Sequence, residues 1–322
     1  MKEKFSRSAL AMAATGLAIM CALIYYRPQS KNIVQQVAAQ RQNPPESSAA
    51  SVSRSQERTQ LPPEDTPFRL IADSLRIRAL KGDADAACRL ALEYQKCELT
   101  RQQVNHADDV LSQNHSGSEE VPDIALPLDQ SKFYSNVAHC EGAEEVGAGE
   151  ISRMWRRSAE NGNLAAMVNY AAGNAFSVAS TLDSAEELIA YRKIAPQISQ
   201  AAINRGSGMA LLSLAAAYQP ENQIGFRSYL AQAVKADVQE SLTLYKMAKI
   251  AAVDGDGQVI RFVDEQIERL DKRASPLQRT ESDREARERA NAIGRIQLPS
   301  SQAIAWLRTG SAPGIQVKDC AN

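Results

Sequence analysis

The chain has 322 residues, with 37 Lys and Arg against 38 Asp and Glu, and only 5% of its residues are aromatic. Balanced charge argues against nucleic acid as the main ligand, because such proteins usually carry a basic surplus that releases counterions. With so few aromatics, the apolar stock is mainly Ala, Leu, Ile and Val, which suits closely packed helices better than a sheet.

Lys2, Lys4 and Arg7 mark residues 1–7, and an uncharged stretch runs from Ser8 to Tyr26. A helix over 8–26 would be about 28 Å long, close to the hydrocarbon thickness of a bilayer. No small-x-small site follows Ile24, Tyr25 and Tyr26, so the pattern predicts an uncleaved signal anchor, with a cleaved signal peptide as the alternative. Cys21 follows the bulky Met20, a poor lipoprotein context, and reads as a small residue inside the span. Three basic residues precede the span and two follow it closely (Arg27 and Lys31), a narrow margin that places 1–7 in the cytoplasm. Residues 27–67 are rich in Gln, Ser, Pro and Arg and cannot bury enough apolar surface to offset their ordering entropy. They are expected to be a disordered linker with a reach of about 35 Å.

Helical periodicity dominates from Phe68. Four windows, from Ala79, Ala159, Ile203 and Ala233, share one register around a turn at Gly82, Gly162 or Gly206, with Ala236 in the fourth. Four residues past the turn stand Ala86, Ala166 and Ala210; eight past it stand Leu90, Tyr170, Leu214 and Leu244. That i, i+4, i+8 pattern is one face of a helix. Glycine ends one helix in the left-handed conformation, and the following Asp, Asn or Ser caps the next. Residues 68–253 are therefore expected to be repeated helical hairpins.

This register resembles the Sel-one-like subclass of tetratricopeptide repeats. The segment "MWRRSAENGNLAAMVNYAAGNAF" carries the likeness, with its Trp155, paired alanines, Gly-Asn turn and Ala-rich second helix. The resemblance implies an α-solenoid that binds a protein partner. The turns are unevenly spaced, and Tyr170-Ala171 and Leu214-Ala215 stand where the family has leucine-glycine, so the solenoid is expected to be irregular.

Residues 98–150 read as an insertion, mostly loop, with a short helix over 130–139. Within 254–322 come an amphipathic helix bearing Val259, Val263 and Leu270, a charged helix with Ala286 and Ala290 as its stripe, and an irregular tail with a turn at 304–307.

Outside the span there are four cysteines, Cys88, Cys97, Cys140 and Cys320, an even set that suits an oxidising compartment. On one straight helix Cys88 and Cys97 would lie about 13.5 Å apart, too far for a bond. A Cys97–Cys140 bridge would clip the base of the insertion and leave Cys88 for Cys320. Three pairings exist, and sequence alone does not choose among them. His106, His115 and His139 have no zinc-finger spacing and are read as ordinary exposed histidines. Asp254, Asp256 and Glu265 mimic part of a calcium loop, but Val259 occupies the glycine position, so this is read as an interhelix turn.

No phosphate loop, nucleophile elbow or His-Glu-x-x-His motif occurs. The expectation is an all-α, membrane-anchored scaffold of the cell envelope at the inner membrane, single-pass, with its C-terminal domain periplasmic. It would need no cofactor and would dock a protein or peptide partner. The alternative is an envelope enzyme or metal-binding protein using 98–150.

Overall fold

A computed structural model describes residues 60–114, 130–225, 227–253 and 255–321, all within the compact unit Thr59–Asn322. The expectations for 1–7, the span 8–26, linker residues 27–59, His115 and Asp254 lie outside the described residues. Among the described residues no helix is long and apolar enough to cross a membrane.

The fold is all-α. Its helices are α1 (Phe68–Leu80), α2 (Ala84–Asn114), α3 (Gln130–Cys140), α4 (Ala148–Glu160), α5 (Leu164–Ala171) and α6 (Ala185–Asn204). They continue as α7 (Gly208–Ala217), α8 (Tyr229–Ala233), α9 (Val238–Ala251), α10 (Gly257–Asp271), α11 (Pro276–Ile293) and α12 (Ile304–Leu307). A two-residue parallel pair, β1 (Ala252–Val253) with β2 (Ile296–Gln297), ties the end of α9 to the chain leaving α11.

Local chemistry sets the hairpin turns. Gly82, Gly162 and Gly206 have φ of +90°, +94° and +86°, the left-handed region where a side chain is strained. A capping oxygen follows each one. Asp83 accepts from the N–H groups of Asp85 and Ala86, Asn163 from Ala166, and Ser207 from Ala210. Asp237 caps α9 in the same way, without a preceding glycine.

Each hairpin's apolar face is buried: Ala86, Leu90 and Tyr94 on α2, Ala166 and Tyr170 on α5, Ala210 and Leu214 on α7, and Leu244 on α9. The helices pack in series, α1 on α2, α2 on α4, α4 on α5, α5 on α6, α6 on α7, and α7 on α9, which also carries α10 and α11. Fully buried alanines such as Ala195, Ala202, Ala215 and Ala217 let backbones approach closely, where an added methylene would overpack. Tyr170, Phe176, Tyr191 and Tyr229 form the aromatic exception, joining α5, α6 and α8 by edge and tilted contacts. Across the α4–α6 contact, Arg153 and Arg156 both donate to the buried Glu187, and that hydrogen bond raises both guanidinium pKa values.

Two readings change. The stretch after Glu98 is not loop: α2 continues unbroken to Asn114. Glu98 accepts from Arg101 and Gln102, helix-spaced pairs that extend the helix, and Gly and Pro do not appear until after Asn114. The tail also has a fixed course. After α12 it turns back over α7 and α5 and ends in a 3-10 turn, Val317–Ala321, against α2.

Candidate functional site

Both disulfides start on α2. Cys88 bonds Cys320, with Cα atoms 5.5 Å apart, and Cys97 bonds Cys140, at 5.3 Å. The first holds the C-terminal segment against α2, and the second holds the end of α3. Such bridges point to an oxidising, extracytoplasmic compartment.

Between these two clamped walls runs a groove. Leu92, Gln95, Lys96 and Leu99 of α2 form its floor; Lys132, Phe133 and Asn136 of α3 form one wall; Gly314 and Ile315 form the other. Two contiguous cavities, of about 430 and 920 Å³, share Leu92, Lys96, Lys132, Asn136 and Ile315. Volumes of that order accommodate ligand-sized groups. Leu99 is 56% exposed, an apolar side chain open to whatever enters.

A side-chain amide network closes the inner end. Trp155 Nε1 donates to Gln95 Oε1 at 2.8 Å, and Gln95 Nε2 donates to the Asn174 carbonyl at 2.9 Å. Asn174 Nδ2 in turn reaches Asn169 Oδ1 and the carbonyls of Ala312 and Pro313. The groove thus combines apolar side chains with amides and two lysines, Lys96 and Lys132.

At its outer end lies a buried ionic cluster. Glu93 pairs with Arg89 Nη2 at 2.6 Å and with His139 Nε2 at 2.8 Å. Arg89 also donates to the carbonyls of Pro63 and Glu64. Burial lowers the Arg89 pKa, with the Glu93 carboxylate opposing that fall. His139, only 8% exposed, therefore departs from the expected exposed histidine. Cys140 beside it is bonded to α2, and this pulls the ring onto Glu93. His106 is exposed. Among the described residues no group of three or more His, Cys, Asp or Glu is placed to hold a metal.

Asp256 caps α10 by accepting from the Gln258 N–H and also accepts from the Ser301 N–H. Hydrogen bonding lowers its carboxyl pKa, with the Ser301 hydroxyl foremost, then the Gln258 N–H and the Ser301 N–H. Glu265 stands exposed on α10, away from the cap.

The groove floor went unread in the sequence, although Leu92, Gln95, Lys96 and Leu99 follow i, i+3, i+4, i+7 spacing opposite the core face. The Glu93–His139 pair left no local signal, since the insertion separates its members.

The described unit is a disulfide-clamped, mainly helical protein with a groove over α2. No family model, curated protein or solved structure matches this chain.

Proposed function

We propose that the protein is a cell-envelope interaction scaffold of the Sel-one-like, tetratricopeptide type that docks an extended protein or peptide segment in the groove over α2. In this reading, residues 8–26 anchor it in the inner membrane and the stretch before the compact unit tethers it. That tether is shorter than the expected linker 27–67, because Leu61 packs on the core and Arg89 holds the carbonyls of Pro63 and Glu64. The helical unit works outside the cytoplasm as an irregular solenoid. The observation that carries the reading is the joint clamping of both groove walls onto one helix. Holding α3 and the tail in place before a ligand arrives lowers the ordering cost of binding.

The test is a photo-crosslinking residue at Leu99 in intact cells, compared with one at Leu277, which is 78% exposed and lies on α11. A defined adduct from Leu99 alone, lost when Leu92→Glu is added, is the expected result. The same products from both positions would sink the proposal.

The rival reading, an enzyme or metal-binding site on 98–150, draws on the buried Glu93–His139 pair bordering the larger cavity. His139→Gln separates the two: a scaffold keeps its Leu99 adduct, whereas zinc uptake by the native chain that this change abolishes favours the rival.

A further inference from the structure

Past α12 the chain cannot form a helix, because Gly310, Pro313 and Gly314 interrupt it. It runs back over α7 and α5 to end against α2, and side chains on or beside α7 and α5 donate to its main-chain carbonyls. Asn222 Nδ2 meets the Arg308 oxygen at 3.0 Å, and Ser213 Oγ meets that of Ser311 at 2.9 Å. Asn174 Nδ2 meets those of Ala312 and Pro313 at 3.0 and 3.4 Å, and Asn163 Nδ2 meets that of Cys320 at 2.8 Å.

Donors that read carbonyls recognise the course of a backbone whatever its side chains. Shape supplies the rest. Gly310, at φ +73°, lies so close to α7 that a Cβ there would stand 3.1 Å from the Ala217 nitrogen. Ala312 and Cys320 are buried as side-chain anchors. This is how a groove holds a peptide, with main-chain hydrogen bonds for affinity and small pockets for register.

We propose that residues 308–321 are a resident peptide ligand, bound in cis by a backbone-reading groove along α7 and α5 and fixed to α2 by the Cys88–Cys320 bond. The occupied face is closed to other segments, while Gly314 and Ile315 become a wall of the open groove over α2. The inference rests on the docking function proposed above, but it concerns a different stretch of surface and a named occupant.

The experiment uses the full chain with Cys88→Ala and Cys320→Ala and a protease recognition sequence inserted between Ser300 and Ser301. After cleavage, a fluorescent peptide of residues 308–321 is added and its anisotropy followed. The expected result is saturable exchange of labelled peptide into a body that remains helical by circular dichroism. The uncleaved native chain should take up none. Affinity should fall about ten-fold when Asn174→Ala removes the amide that reads two carbonyls, and a peptide bearing Gly310→Val should fail to compete. A body that stays folded yet binds no peptide would overturn the proposal. So would a body that unfolds once the fragment leaves, since the tail would then be core and not ligand. Crosslinking at Leu99 does not depend on this exchange, so each reading can fail alone.

Discussion

Glu93 is fully buried between Arg89 and His139, so two partners that are themselves removed from water hold its charge. Breaking such a pair leaves an uncompensated cation. Glu93→Leu is therefore expected to cost about 3–5 kcal/mol in urea unfolding, and adding Arg89→Met should restore much of it. Tyr170 behaves oppositely. Its ring is buried, and among the described residues its hydroxyl has no hydrogen-bond partner. Tyr170→Phe should be neutral or raise stability by up to about 1 kcal/mol in the same assay. The hydroxyl also predicts a pH effect. Burial raises the pKa of Tyr170, Tyr191 and Tyr245 above the ordinary 10.0. A folded pKa above the unfolded one means that the native state keeps protons which the unfolded chain releases. Stability from these rings is thus complete below pH 10.0 and declines as pH rises beyond it. Urea midpoints measured upward from neutral pH should fall above about pH 10, with a shallower slope in Tyr245→Phe; an unchanged slope would count against this.

Among the helices, α5 is held through its N-cap residue, Asn163. Asn163 caps it through the Ala166 N–H, donates to Asp85 of α2 and holds the Cys320 carbonyl. The Ser207 side chain has only the capping bond among those described, to the Ala210 N–H at 3.2 Å. Loss of a cap costs about 1 kcal/mol, and buried donors add to it. Asn163→Ala is therefore expected to cost roughly 2–3 kcal/mol, and Ser207→Ala about 1. Equal costs would argue that the tail contributes nothing to α5. If the hairpins form a solenoid, Leu214→Asp should also raise hydrogen exchange in the neighbouring α5 and α9, not in α7 alone.

For the whole molecule the disulfides have the widest reach. They close loops with sequence separations of 43 and 232 residues. In the chain-entropy account these contribute about 4 and 5 kcal/mol respectively, although native strain can reduce both. Cys97→Ser/Cys140→Ser and Cys88→Ser/Cys320→Ser should each lower the unfolding midpoint, and protein isolated from its native cells should show no free thiol at these four positions until reduced. Four titratable thiols there would remove the case for an oxidising compartment. An alkaline phosphatase fused after Asn322 should be active, whereas fluorescence from a reporter that matures only in the cytoplasm would reverse the proposed orientation.

Local rules were enough for much of this architecture. Gly82, Gly162 and Gly206, each followed by a capping residue, declare a turn that needs only φ > 0 and one side-chain oxygen, and both are properties of neighbouring residues. The periodic faces beginning at Ala86, Ala166 and Ala210 are likewise written in spacing. The groove is a different matter. Its floor is on α2, but its walls come from α3 and from residue 314 onward, and no local pattern specifies which distant segments will meet. Reading 98–150 by composition also missed that α2 runs on to Asn114, because helix-spaced charge pairs outweigh a polar composition. His139 looked like any exposed histidine until Cys140 was drawn to Cys97 and set its ring against Glu93. Turns and faces are set by neighbours in sequence, whereas the groove and its buried charges arise from long-range closure, and only the tertiary structure decides those.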